Sequence, residues 1–146
     1  MPVLLLLAAC AGGATPETAN PSTGPESVVD NFLQAAKDSN LARMADLWGT
    51  ASGPASRTRV PPDYQKRIEI IQIYLVHDTR RFIGMNDVEG APDQKRVTME
   101  LRRGNCVNRV PFVAARLSNG TWLVRNADIA TVGNPARRCD ERGNPI

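Results

Sequence analysis

The spacing of apolar residues changes once along this 146-residue chain, and the change limits the folds that it can adopt. Between residues 25 and 76 the apolar residues recur at intervals of three and four, which is the spacing of amphipathic helices. After residue 79 they alternate with polar residues, which is typical of strands with one buried face. This order predicts an α+β domain in which helices come first and an antiparallel sheet follows.

Two helices are predicted to form a hairpin at the start of the domain. Residues 23–26 fit a capping box, in which the Thr23 hydroxyl and the Glu26 carboxylate satisfy free backbone N–H groups. The apolar face of the first helix is Val28, Val29, Phe32, Leu33 and Ala36. Residues 38–40 interrupt this helix and cap a second one, whose apolar face is Leu41, Met44, Ala45 and Trp48.

A third helix is predicted after a polar loop. Residues 49–60 contain Gly, Pro and Arg, which predicts a loop, and Pro61-Pro62-Asp63 then marks a helix start. The apolar residues of this helix are numerous: Tyr64, Ile68, Ile70, Ile71, Ile73, Tyr74, Leu75 and Val76. An apolar surface of this width predicts burial on more than one side.

Four extended segments follow and predict an antiparallel meander. They cover residues 80–88, 96–103, 107–117 and 121–132. Gly104-Asn105 and residues 118–120 suit hairpin turns, because Asn and Gly tolerate positive φ.

The third extended segment has two unusual features. Pro111 predicts a bulge or an edge position, because proline cannot donate to a strand ladder. Residues 110–115 are apolar on both strand faces. That pattern indicates either a second subunit on one face of the sheet or a central strand curved around the core.

The first ten residues form an apolar run that ends at a cysteine preceded by small residues. The run is too short to span a bilayer, which takes about 20 apolar residues. Leu7-Ala8-Ala9-Cys10 resembles the lipobox of bacterial lipoproteins, so residues 1–9 are predicted to be a signal peptide. The resemblance implies that Cys10 carries acyl chains such as palmitate. With Ala11 after it, the resemblance also implies an outer-membrane protein facing the periplasm. The alternatives to a signal peptide are that the apolar run is a buried strand or an accidental start.

The other two cysteines form an even pair once Cys10 carries lipid. Export permits a disulfide between Cys106 and Cys139, and two unpaired thiols are the alternative. A metal site is not expected, because the chain has one histidine and no closely spaced cysteines. No cofactor is expected either.

After the predicted signal peptide at residues 1–9, the composition of the chain divides it into three further parts. Residues 10–24 lack a large apolar side chain and are predicted to be the acylated cysteine and a flexible tether. Residues 25–132 are predicted to form the folded domain, with an ordinary content of apolar residues. Residues 133–146 form a polar tail that a Cys106–Cys139 disulfide would hold to the domain.

Residues 25–132 resemble the NTF2-like superfamily, and the resemblance rests on segments 25–37, 40–48 and 120–124. It implies a helical hairpin and a third helix packed into the concave face of a curved antiparallel sheet, with a cone-shaped cavity between them. Relatives include dehydratases and isomerases as well as proteins that only bind ligands or partners. No catalytic motif of those enzymes can be matched to residues of this chain.

His77 is the one histidine and precedes Asp78, which makes it a weak candidate for acid/base catalysis. The competing interpretation is a polar pair at the end of a helix, where histidine offsets the negative end of the helix dipole. Four aromatic residues are candidates to line a cavity, with core packing as the alternative: Trp48, Tyr64, Tyr74 and Trp122.

Arginines are concentrated in the second half of the chain, at positions 80–81, 102–103, 109, 116, 125 and 137–138. On one sheet face they would make a basic surface for an acidic protein or anionic lipid head groups; a solvated face is the alternative. A net charge of +3 and export argue against nucleic acid.

These observations together predict a lipid-anchored envelope protein that acts as a non-catalytic ligand- or partner-binding module. It would meet the membrane through the anchor, and either an envelope protein or a second copy through the sheet. The alternative is a small-molecule enzyme or carrier that uses the NTF2-like cavity.

Overall fold

The computed structural model describes residues 24–146. Thr23, the predicted signal peptide, Cys10 and most of the predicted tether lie outside the described residues. The described part has the α+β order that the apolar spacing predicts, with the helices first and the sheet after them.

The predicted helical hairpin is confirmed. Helix α1 spans Pro25–Lys37 and helix α2 spans Leu41–Leu47. Asn40 caps α2, since its Oδ1 accepts a hydrogen bond from the Arg43 N–H at 3.0 Å. The apolar faces of both helices are buried against each other and against the sheet.

The start of α1 differs from the predicted capping box. Gly24 is the N-cap, so the third helical position is Ser27 and not Glu26. Ser27 Oγ accepts a hydrogen bond from the Gly24 N–H at 3.1 Å and donates one to the Gly24 carbonyl at 3.0 Å. Pro25 takes the first helical position, where a missing N–H costs nothing. The sequence therefore predicts the helix correctly but misplaces its cap by one residue.

The prediction of a loop over residues 49–60 is wrong. This segment contains strands β1 (Gly49–Thr50) and β2 (Gly53–Pro54) and the short helix α3 (Ala55–Thr58). A side chain at Gly49 would not fit, because a Cβ there would lie 2.2 Å from the Gly53 carbonyl oxygen. The polar composition of this segment gives no sign of the tight turn at Gly49. Its main contribution to the core is one fully buried side chain, that of Ala55 in α3.

Helix α4 spans Tyr64–Leu75, so the helix start predicted from the Pro-Pro-Asp sequence is confirmed. The prediction that this helix is buried on more than one side is wrong. Ile68 and Leu75 are buried, whereas Ile70 and Ile73 are 42% and 54% exposed. The helix packs one side against α1 and α2 and turns the other to solvent.

The predicted antiparallel meander is confirmed, with strand order β3-β4-β5-β6. Its strands are β3 (Thr79–Val88), β4 (Ala91–Arg103), β5 (Cys106–Arg116) and β6 (Trp122–Ala127). Strand β4 begins at residue 91, earlier than the predicted residue 96. Strand β6 ends earlier than predicted, because Ile129–Val132 leaves the sheet as a 3₁₀ helix.

Pro111 lies in β5, which is an interior strand, so the predicted edge position is wrong. The Pro111 carbonyl accepts a hydrogen bond from the Asp128 N–H at 3.0 Å, just beyond the end of β6. The N and O atoms of one residue point to the same neighbouring strand in an antiparallel pair. The N–H that proline lacks therefore falls where pairing with β6 has ended. The β5–β6 register also shifts nearby, between Val113 and Ala114.

The core lies between the helices and one face of the sheet. Alternate residues of β4 and β5 point toward α1, and the innermost side chains are fully buried. They include Val28, Val29, Phe32, Leu33, Val97, Val110 and Phe112. This strand alternation leaves the opposite face of the sheet without a covering helix.

The polar tail is held to the sheet by the predicted disulfide. Cys106 and Cys139 are bonded, with their Cα atoms 5.2 Å apart. Asp140 closes the next turn, since its Oδ1 accepts hydrogen bonds from the N–H groups of Asn144 and Arg142, both at 2.9 Å. The backbone hydrogen bond from Asn144 is the main reason that the pKa of Asp140 lies below its usual range. The tail therefore folds back beside the β4–β5 turn.

Candidate binding surface

The four aromatic residues predicted to line a cavity are distributed over different parts of the domain. Trp48 is 9% exposed and belongs to the core, and Trp122 packs against that core. Tyr64 lines a surface cleft, whereas Tyr74 sits at the end of α4, where its carbonyl accepts a hydrogen bond from Arg103. The described residues therefore do not assemble the four around one interior cavity.

His77 lies just after α4 and is 4% exposed. Its Nδ1 is 2.7 Å from the Leu75 carbonyl oxygen, so we assign the proton to Nδ1. Its Nε2 is buried and has no hydrogen-bond partner among residues 24–146. Asp78 does not orient the imidazole through this bond; Asp78 Oδ2 instead accepts a hydrogen bond from the Gly104 N–H at 2.7 Å.

The electrostatics of His77 keep its ring neutral. Burial is the largest effect and lowers the pKa of His77 below 6.5, and the nearby cations Arg80 and Lys37 lower it further. The Leu75 hydrogen bond and Asp30 oppose this shift. A buried neutral imidazole with no open approach is poorly suited to proton transfer with a substrate.

A surface cleft of about 480 Å³ lies between α2, α3 and α4. Its floor contains the buried side chains of Ala45 and Ile68, and Tyr64 forms one wall. The carboxylates of Asp46 and Glu69 lie at its exposed rim. This cleft can hold a small amphiphilic molecule, although neither carboxylate is buried or oriented by a described hydrogen bond.

The outer face of the sheet, which points away from the helices, is the other candidate surface. Cross-strand pairing assigns its residues, because directly paired residues share a face. Glu100 pairs with Arg81 on one side and with Arg109 on the other, and Arg102 pairs with Val107. Arg96 pairs with Val113, and Thr98 with Pro111. The outer face thus carries arginines around a half-buried centre of Thr98, Pro111 and Val113.

The charges of the outer face do not balance. The Glu100 side chain is 14% exposed and faces two arginines, with Arg81 Nη2 at 3.2 Å and Arg109 Nε at 3.9 Å from Glu100 Oε2. Arg96 and Arg102 are exposed and have no carboxylate partner among the described residues. Glu100 is therefore paired with only two of these four arginines, and the guanidinium groups of Arg96 and Arg102 remain free to bind an anion.

Neighbouring residues of a strand point to opposite faces, so the two members of each arginine pair, 80–81 and 102–103, lie on different faces of the sheet. Arg81 and Arg102 lie on the outer face, whereas Arg80 and Arg103 turn toward the helices. The arginines that the sequence analysis considers for a basic surface therefore include Arg80 and Arg103, which turn toward the helices, and omit Arg96. The period-2 pattern of β4 could have revealed Arg96, which precedes Thr98 on the same face.

Comparison of this chain with protein-family models, with curated proteins and with solved structures finds no match. Within residues 24–146, no helix is long and apolar enough to cross a membrane. The same part of the chain contains no group of three or more His, Cys, Asp or Glu side chains arranged to hold a metal ion.

Proposed function

We propose that this chain is a lipid-anchored protein of the bacterial cell envelope that binds an acidic protein partner through the outer face of its sheet. The observation that carries the binding proposal is the pair of exposed arginines, Arg96 and Arg102, that have no carboxylate partner among the described residues. Interfaces are enriched in arginine, because its planar group binds carboxylates through two parallel hydrogen bonds.

Two observations support the envelope location. The segment Leu7-Ala8-Ala9-Cys10 has the composition of a lipobox, and Ala11 fits outer-membrane sorting within the lipoprotein resemblance. The bonded cysteines 106 and 139 are typical of a protein that folds in an oxidising compartment such as the periplasm. The order of helices and strands also supports an NTF2-like domain, which we propose as its fold family.

The packing favours binding over catalysis. Side chains between α1 and the sheet are fully buried, as for Phe32 and Phe112, and His77 has no open approach. A catalytic site needs polar groups that converge on an accessible space. The outer face instead offers charge on an open surface, which suits recognition of another macromolecule.

The geometry favours a protein over the anchoring membrane as the partner. The chain reaches the domain at Gly24, which precedes α1 and therefore lies on the helix side of the sheet. The outer face points the opposite way. Arg96 and Arg102 therefore lie on the side of the sheet opposite the point where the flexible tether joins the domain, where proteins in the periplasm can reach them.

Photocrosslinking in cells tests the binding proposal. A photoreactive phenylalanine analogue replaces Val113 at the centre of the outer face, and a second chain carries it at Ile73 on the exposed side of α4. We expect a protein adduct from position 113 that Arg96→Glu with Arg102→Glu abolishes. Arg57→Glu, a charge reversal at an exposed arginine of α3, should leave the adduct unchanged. An adduct that survives the double charge reversal, or that forms equally at Ile73, would contradict the proposal.

Metabolic labelling tests the anchor. We expect labelled palmitate to enter the chain and Cys10→Ala to abolish its incorporation, while Cys139→Ala keeps it. Each buried methylene of an acyl chain contributes about 0.8 kcal/mol, so the loss of lipid should also release the protein from membrane fractions. Incorporation that persists in Cys10→Ala would overturn the anchor.

The cleft between α2 and α4 supports a second candidate function, a carrier of small amphiphilic molecules. Its volume of about 480 Å³ and its Tyr64 wall are suited to a small apolar ligand. We expect Ala42→Trp, at the exposed rim, to fill the cleft and remove any ligand that copurifies. Ala130→Trp, an exposed alanine outside the cleft, is the control.

A further inference from the structure

Strand β3 forms an open edge of the sheet. It pairs with β4 on one side and with no other strand among the described residues. The opposite edge of the sheet, strand β6, is partly covered, because Trp48 forms a parallel bridge with Val124 of that strand. A ten-residue edge presents unpaired backbone N–H and C=O groups that can pair with another strand.

This edge also carries exposed apolar side chains. Phe82 is 38% exposed and Met85 is 45% exposed. Phe82 pairs with Met99 and Met85 pairs with Val97, both core residues, so the two exposed side chains lie on the helix side of the sheet. The register shift after Phe82 is what puts residues three apart on the same face.

We propose that two copies of this chain associate by antiparallel pairing of β3 with β3, which joins their sheets into one continuous sheet. A two-fold axis between Ile83 and Gly84 overlaps the full strand, Thr79–Val88, with itself. That register places Phe82 opposite Met85 of the partner subunit, and Met85 opposite the partner's Phe82. An aromatic ring and a thioether make a favourable contact.

The charges of β3 complement one another in the same register. Arg80 lies opposite the partner's Asp87, and Arg81 lies opposite the partner's Asn86. Arg80 donates three hydrogen bonds to Asp30 and Gln34, which leaves two of the five N–H groups of its guanidinium for Asp87 of the partner subunit. Asp87 is bound by Lys95 and its side chain is 86% exposed, so it remains accessible.

In this register, the residues that pair between the two copies lie on the same face of the joined sheet. Arg80 and Asp87 both pair with helix-side positions of β4, as do Phe82 and Met85. Arg81 and Asn86 both lie on the outer face. A register shifted by one residue would pair helix-side residues of one copy with outer-face residues of the other. A two-residue slip restores the faces but shortens the overlap and separates Arg80 from the partner's Asp87.

Mixed disulfide crosslinking tests the register. Both chains are full length and carry Cys10→Ser, and one adds Phe82→Cys while the other adds Met85→Cys. We expect an intermolecular disulfide when the two are mixed and oxidised, and little from either chain alone, because each new cysteine faces the other position. Equal crosslinking of each chain with itself, or none in the mixture, would overturn the register.

Light scattering during gel filtration tests the association itself. An interface of one strand pair is small, so we expect a dimer at concentrations on the order of tens of micromolar. Met85→Glu should convert it to a monomer, whereas Ile73→Glu, at a similarly exposed apolar position on α4, should leave it dimeric. Circular dichroism should show that both variants fold. A folded parent chain that remains monomeric at these concentrations would overturn the proposal, as would a dimer that Met85→Glu leaves intact.

Discussion

Arg103 is the residue whose side chain connects the most separate parts of the described domain. From strand β4 its guanidinium donates to the carbonyl oxygens of Val76 and Tyr74, both at 3.0 Å, and of Pro135 at 2.6 Å. The first two belong to the end of α4, where carbonyl groups lack helical partners, and the third belongs to the tail. One side chain thus joins sheet, helix and tail.

We expect Arg103→Lys to lower the free energy of unfolding by about 2 kcal/mol. An ammonium group cannot reach three carbonyls in the fork geometry of arginine, and hydrogen bonds to charged groups contribute about 1.5 to 3 kcal/mol each. Arg102→Lys is the matched control, because its exposed side chain has no described partner, and it should change stability by less than about 0.5 kcal/mol. Equal stability of the two variants in urea denaturation would contradict this role of Arg103.

His77 gives the domain a pH-dependent stability. Its pKa is lowered in the folded state, mainly by burial, so below pH 6.5 the unfolded chain binds a proton that the folded chain excludes. Stability from this residue is therefore complete above pH 6.5 and is lost as the pH falls through the folded-state pKa. Arg80 faces His77 from β3, and Asp30 and Lys37 face it from α1.

We expect His77→Gln to flatten the stability profile between pH 7 and pH 5. Glutamine can still donate to the Leu75 carbonyl but does not titrate in this range. Urea denaturation of both chains at several pH values measures the difference, and carboxylates common to both chains cancel from it. Parallel profiles would show that His77 does not carry the pH dependence.

At the scale of elements, the sequence predicts helices and strands that have a periodic apolar pattern, and it misses those that depend on a single local contact. Helix α1 and strand β4 each have several apolar residues at the regular spacing of their element, so the spacing predicts both the type of element and its buried face. The turn at Gly49 and helix α3 depend on one close backbone approach and one buried alanine, which leave no periodic pattern.

Burial also depends on neighbours that a single element does not reveal. Ile70 and Ile73 of α4 were expected inside because they are apolar, yet α1 and α2 cover only the other side of that helix. The same reason explains the outer face: alternation predicts which arginines share a face, but only the strand register brings Arg81 and Arg109 to either side of Glu100.

The disulfide is the element-scale feature with the clearest energetic consequence. It closes a loop over a sequence separation of 33 residues, which the chain-entropy argument values at about 3 to 4 kcal/mol. We expect the double variant Cys106→Ser with Cys139→Ser to lose about that much stability and its tail to become sensitive to proteases. Cys10→Ser is the control. If the double variant and the control unfold at the same urea concentration, the disulfide does not stabilise the domain.

At the scale of the whole molecule, the two proposed interactions use different surfaces of one sheet. The arginines that would bind a partner lie on the outer face, whereas β3 pairing uses the strand edge and the helix-side residues Phe82 and Met85. Edge pairing would leave the outer faces of both copies on the same side of a continuous sheet. A dimer would therefore present two sets of unpaired arginines to one acidic surface.

This geometry predicts that a substitution at the edge weakens binding at the face. On a dense surface of immobilised glutamate-rich peptide, Met85→Glu should weaken apparent binding by about tenfold or more, because a monomer loses the second attachment. In solution, against the same peptide in monovalent form, Met85→Glu and Ile73→Glu should bind alike. A similar loss in both formats would mean that the new carboxylate repels the peptide directly. Equal binding of the two variants on the dense surface would mean that the arginine surfaces of two copies do not act together.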